Sequence, residues 1–181
     1  MSNADAIPGA STASVTGCFH CGLPVPPGSA FRFESAEGWR SFCCAGCEAV
    51  CTAISGLGLD HYYRLRREAP ARPEPVPADL ASFDAPSIRD RFVSECGGGL
   101  VEAELLVEGM RCAACAWLVE RTLERAPGVR DVQVQYATRR ARVQWDPKEA
   151  PPSALLAAVA RIGYHAWPYD EDGDLVTGPA A

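Results

Sequence analysis

Nowhere in this 181-residue sequence does an apolar run approach the ~18–20 residues that a helix needs to span a bilayer. No direct membrane insertion is therefore expected of it. Residues 1–16 offer no positive segment leading into an apolar one, so no secretory leader is read there. A basic excess is also lacking. The formal net charge is -6, with the acidic surplus in the middle and at the end of the chain, and a protein without a basic face is a poor partner for nucleic acid. Internal repeats are absent too. Cysteine, by contrast, is plentiful, with nine residues. With no leader they imply a reducing, cytoplasmic setting, where thiols act as ligands or catalysts rather than in disulfides.

The most informative stretch is Gly109-Met110-Arg111-Cys112-Ala113-Ala114-Cys115-Ala116-Trp117. Ahead of it, Val101, Ala103, Leu105 and Val107 alternate with Glu102, Glu104 and Glu108, the period of a half-buried strand over 100–108. Behind it, Trp117, Leu118, Thr122, Leu123 and Ala126 recur at helical spacing until Pro127-Gly128. Two cysteines thus sit at the turn from a strand into a helix, where unpaired N–H groups and the helix dipole favour a thiolate. Zinc in a closed site needs four ligands, and this loop supplies two, with no histidine or carboxylate between them. Monovalent copper is soft, prefers sulfur and accepts two ligands, so Cu(I) is expected at Cys112 and Cys115. A dithiol oxidoreductase also places Cys-x-x-Cys at such a turn.

The elements that follow favour the metal reading. Val129, Val132, Val134 and Tyr136 mark a second strand, and Ala141, Val143 and Trp145 a third. Leu155, Leu156, Val159 and Ile162 give a helix closed by Gly163, and residues 164–169 a last strand. Strand, helix, strand, strand, helix, strand is the ferredoxin-like βαββαβ order. Gly109-Met110-x-Cys112-x-x-Cys115, Pro127-Gly128-Val129 and Ile162-Gly163-Tyr164 together resemble a heavy-metal-associated domain, the module of copper chaperones and copper-transporting P-type ATPases. The expected domain spans 99–170, with a core of Leu105, Val107, Val134, Val143, Leu156 and Val159.

A second cysteine group lies earlier. Cys18-Phe19-His20-Cys21 forms a knuckle, and Phe31, Phe33 and Trp39 suggest a hairpin around Ala36-Glu37-Gly38. Cys43-Cys44-Ala45-Gly46-Cys47 then opens a helix with Ala49, Val50, Ala53 and Ile54. This is a treble-clef or zinc-ribbon pattern over 17–67, too small to stand on apolar burial alone. Cys18, Cys21 and Cys47 are expected ligands; the fourth is Cys43 or Cys44. The metal is Zn(II), or Cu(I) if the surplus thiols join in.

This region, too, is similar to a family module: the small metal-binding domain that precedes the heavy-metal-associated domain in one branch of copper P-type ATPases, which serves respiratory-oxidase assembly. Asp84-Ala85-Pro86 and Phe92-Val93 match further parts of that tandem. Related treble clefs imply Cys43 as the ligand. The sequence departs from the full transporter in holding no membrane spans and no Asp-Lys-Thr-Gly phosphorylation motif. It is therefore not expected to be an enzyme by itself.

Residues 68–98 alternate Pro70, Pro73, Pro75 and Pro77 with charge and read as a stiff linker, with a helical turn or two after Pro86. Residues 1–16 and 171–181 are expected to be disordered. Several side chains have plainer readings than ligation. Met110 is expected to plug the loop into the core, Tyr164 to shield the thiolates or fix the shape of the loop, His165 to lie on the surface and His61 to be an ordinary helix residue. His20 sits in a knuckle already supplied with cysteines. Cys51 is a buried thiol or a spare copper ligand, Cys96 is incidental, and Trp117 and Trp145 are packing residues.

The reading implied by these resemblances is a copper(I)-binding cytosolic region of a copper-translocating P-type ATPase. It would receive Cu(I) by thiolate exchange on an exposed loop, with a copper chaperone and the transporter's membrane and ATPase domains as partners. The alternatives are a stand-alone copper chaperone or buffer, and a dithiol oxidoreductase, although the apolar-aromatic Cys-Gly-Pro-Cys setting of the latter is missing.

Overall fold

The chain is described by a computed structural model over residues 16–35, 37–75, 79–170 and 174–176. Residues 1–15, Ala36, 76–78, 171–173 and 177–181 lie outside the described residues. With them go most of the two ends read as disordered and the tip of the expected hairpin.

The βαββαβ unit is built as its periodicities require. Strand β4 (Leu100–Glu108) leads into α4 (Ala113–Leu123). Then come β5 (Val129–Gln135), β6 (Arg140–Trp145), α5 (Pro152–Arg161) and β7 (His165–Pro168). Every pairing is antiparallel and β4 is central, with β6 then β5 on one side and β7 on the other. Ala103, Leu105 and Val107 point to the helices and are buried, as are Val143, Leu156 and Val159, while Val134 is half-buried. The opposite face of the sheet is charged: Arg142 pairs with Glu102 at 2.8 Å and Arg140 with Glu104 at 3.0 Å. Such exposed pairs contribute little stability but keep that face in water.

Part of the expected tail belongs to this unit. Val176 is fully buried, and its N–H donates to the carbonyl of Pro168 at 2.8 Å. Residues 174–176 are therefore not disordered: one apolar side chain finds cover beside the free edge of β7, and the pattern of small and acidic neighbours hid it.

The first region consists of the knuckle, a hairpin of β1 (Arg32–Ser35) and β2 (Gly38–Ser41), and helices α1 (Ala45–Gly56) and α2 (His61–Leu65). A small cluster of Cys18, Cys21, Phe42, Cys47 and Cys51 sits under the hairpin. The other face of α1 and α2 is apolar as well, and Val50, Ile54, Leu59 and Tyr62 enter the core that also contains Leu105, Val119 and Leu156. Burying side chains of that size is worth about 1.5–3 kcal/mol each. One core therefore runs from the first region into the second. At Gly163 (φ +86°) the two pack closely: an added Cβ would meet Val50 at 3.3 Å.

The segment between the regions is also partly folded. A 3-10 helix (Leu80–Asp84) and α3 (Pro86–Arg89) bring Phe83 and Phe92 into the core. Asp84 caps α5 from outside it, accepting from the Ser153 N–H at 2.9 Å and from the Ser153 hydroxyl at 2.6 Å. Strand β3 (Ser94–Gly97), carrying exposed Cys96, extends the sheet beside the start of β4.

Candidate metal centres

The knuckle places Cys18 and Cys21, and the start of α1 places Cys43 and Cys47. Their four sulfurs lie within 4.8 Å of one another. Cys21 and Cys43 are 3.6 Å apart, Cys43 and Cys47 3.7 Å, and Cys21 and Cys47 3.7 Å. A tetrahedron of sulfurs bonded at about 2.3 Å to one ion has edges of about 3.8 Å, so the donor set has the size that zinc requires. Burial, followed by the neighbouring thiols, pushes Cys43 up to about 12 and Cys47 higher still. Burial also opposes ionisation of Cys18, but backbone N–H groups of Cys21, Cys43 and His20 outweigh it and the net shift is downward. Several thiols crowded together ionise readily only with a cation between them.

The other residues weighed for this centre lie outside the four. The Cys44 sulfur is 3.9 Å from that of Cys43 and accepts from Arg72 Nε at 3.2 Å. Burial raises its pKa, but the Cys47 N–H and the Arg72 guanidinium prevail and bring it to about 7. His20 is almost fully buried, with Nδ1 3.1 Å from the Tyr63 hydroxyl; burial and the charge of Arg66 lower its pKa to about 4, so the ring is neutral. Cys51 is buried beside Tyr63, and burial raises its pKa.

The second centre is the pair at the start of α4. Gly109 (φ +88°) turns the chain out of β4, and an added Cβ would press on the Tyr164 ring at 3.5 Å. Met110 is buried in the core, and the Tyr136 hydroxyl donates to the Arg111 carbonyl at 2.9 Å. Cys112 is the N-cap, and the sulfurs of Cys112 and Cys115 are 3.5 Å apart. Among the described residues, no further His, Cys, Asp or Glu joins them to make a group of three. Burial raises the Cys112 pKa, but N–H groups of Arg67, Cys115 and Ala114 outweigh it and lower it overall.

One feature differs from expectation. The loop is not exposed: Cys112 is 8% and Cys115 1% accessible. The reason lies in the first region. Leu65, Arg67 and Glu68 face Arg111, Cys112, Ala113 and Trp117 across a cleft, and the Tyr62 hydroxyl lies 3.3 Å from that of Tyr164. No local pattern in the sequence announces a contact made by residues so far apart along the chain. His165 is drawn instead toward Glu74, at 4.0 Å, and His61 bonds Arg64 on the surface. Trp145 is fully buried and donates to the Ala150 carbonyl at 3.0 Å.

Comparison with known proteins agrees with this geometry. Residues 17–97 match the family model "Putative metal-binding domain of cation transport ATPase", and residues 104–165 match the heavy-metal-associated domain. A copper-transporting ATPase 2 of Rhizobium meliloti is 31% identical over 147 residues, covering 78% of this chain and 16% of that protein. A copper-exporting P-type ATPase of Bacillus subtilis is 42% identical over 64 residues (35% of this chain, 8% of that protein). The probable copper-transporting ATPase PacS of Synechocystis is 48% identical over 62 residues (34% and 8%). The chain spans only about a tenth of the length of the curated relatives it matches.

Proposed function

We propose, from the membership of residues 17–97 in the cation-transport-ATPase metal-binding family and of residues 104–165 in the heavy-metal-associated family, that this chain is the cytosolic copper(I)-binding front of a copper-translocating P-type ATPase. The observation that carries the reading is the pair of sulfurs 3.5 Å apart at the start of α4, with no third ligand among the described residues. Two thiolates suit a soft monovalent ion and leave room for an incoming one. A cysteine of a copper chaperone can attack the ion while one of the pair departs, so cargo passes without being released to water. N–H groups at the helix start and from Arg67 hold the negative charge that this exchange needs at Cys112.

The four-thiolate group has a different role in this reading. It is a resident Zn(II) site held by Cys18, Cys21, Cys43 and Cys47, with no open position. The ion would supply a cross-link between the knuckle and α1, joining segments that the small cluster beneath the hairpin holds only weakly. Cys44, outside the tetrahedron, is not needed for it.

Competition between the reduced chain and a chromophoric copper(I) chelator tests the reading. The chain should take one Cu(I), and Cys112→Ser with Cys115→Ser should abolish that binding while the circular dichroism is unchanged. Undiminished binding in the double variant contradicts it.

A further inference from the structure

The segment joining the two cysteine groups lies on both of them. Arg66 directly follows α2, and its guanidinium donates from Nη1 to the carbonyl of His20 and from Nη2 to that of Phe19 at 2.5 Å. Those carbonyls belong to the two residues between Cys18 and Cys21. The same guanidinium lies 4.8 Å from the centre of the Tyr63 ring. The next residue, Arg67, lines the same cleft as Cys112. Leu65, Arg67 and Glu68 are exposed on their outer side, so little apolar burial fixes this stretch where it lies. Arg66 anchors it at one end, and Leu65, Arg67 and Glu68 lie along the cleft at Cys112.

We infer that residues 65–68 form a strap that closes over Cys112 and Cys115, latched by Arg66 to the Cys18–Cys21 knuckle, so that the first cysteine group governs access to the second. Closed, the strap leaves both sulfurs shielded. Open, it presents the pair to an incoming thiol. A metal in the four-thiolate group fixes the knuckle turn and hence the two carbonyls that receive the latch, and an empty group frees them. The two centres are thereby coupled, and the coupling is reciprocal for binding. The strap's importance to copper transfer rests on the reading of Cys112 and Cys115 as the cargo pair; its closure does not, and is measured without copper.

The experiment is maleimide labelling of the full, reduced, zinc-loaded chain, resolved by site with mass spectrometry, with exposed Cys96 as internal reference. In the unaltered chain Cys112 should react at least about tenfold more slowly than Cys96, as a thiol reached only through local opening does. Arg66→Met keeps the apolar stem and removes the latch, and should bring Cys112 within a few-fold of Cys96 while Cys18, Cys21, Cys43 and Cys47 stay protected by metal. If Arg66→Met loses that protection, Arg67→Pro decides instead. It alters the strap where it lines the cleft at Cys112 and leaves the latch in place, and Arg66 (φ −64°, ψ 136°) already has the extended backbone that precedes proline. Fast Cys112 labelling in the unaltered chain, or unchanged slow labelling in the deciding variant, overturns the strap.

Discussion

The hydroxyls of Tyr62 and Tyr164 meet at 3.3 Å although 102 residues separate them. Both rings are buried, one on α2 of the first region and the other at the entrance to the last strand of the second. The pair ties the two regions together directly behind Cys115. Its energetics follow from general experience with buried hydroxyls: removing one leaves the other unsatisfied, at about 1–3 kcal/mol, whereas removing both lets two phenyl rings pack.

Tyr62→Phe and Tyr164→Phe should therefore each destabilise the chain in urea by about 1 kcal/mol or more, and the double variant by less than their sum. Additive losses in the double-mutant cycle would show that the two hydroxyls do not act on each other.

Asp84 should matter for a helix to which it does not belong. It caps the Ser153 N–H and hydroxyl at the start of α5, whose own N-cap, Pro151, provides no side-chain acceptor. Asp84→Ala is expected to cost about 1 kcal/mol. Hydrogen exchange should show the loss localised to the first turn of α5 and to the 3-10 helix. Unchanged exchange there would remove Asp84 from this role.

The turn at Gly128 admits no side chain. Its φ is +76°, and an added Cβ would stand 2.8 Å from Glu149 Cβ and 3.0 Å from the Asp146 carbonyl oxygen. Gly128→Ala combines left-handed strain with overpacking and should lower stability by about 2 kcal/mol or more. A thermal melt within a degree of the unaltered chain would contradict the contact.

Most of the second region was legible because its strands and helices each bury one face. The alternation over 100–108 and the helical spacing after Trp117 became β4 and α4 with few changes of boundary. The four-cysteine group was legible up to the choice between Cys43 and Cys44: at the N-terminal turn of α1, Cys43 lies with the knuckle cysteines and Cys44 faces Arg72. Burial of the Cys112–Cys115 pair was not legible. It depends on Tyr62, Arg66 and Arg67, whose partners lie far away in sequence, and a run of arginines after a short helix reads as solvated surface. The chain between the regions was obscured in the same way, since Phe83 and Phe92 are isolated apolar residues without a period. Strand β3 escaped notice because Ser94–Gly97 holds no alternating apolar face and pairs only along an edge.

The two cysteine groups should also divide when altered singly. Cys47→Ser should lose the zinc and loosen the hairpin and knuckle, whereas Cys44→Ser should keep close to one zinc per chain. Metal analysis of both variants, purified without added copper, checks this. Equal zinc loss from the two would place Cys44 among the ligands.

The central claim is that each metal has its own thiolates, two for copper and four for zinc. X-ray absorption at both edges, on chain loaded with zinc and one equivalent of Cu(I), addresses it most directly. The account predicts two sulfur neighbours at copper and four at zinc, with no zinc released as copper enters. Three or more sulfurs at copper, accompanied by loss of zinc, would mean that the cargo ion enters the cluster of Cys18, Cys21, Cys43 and Cys47 and would contradict the division of roles.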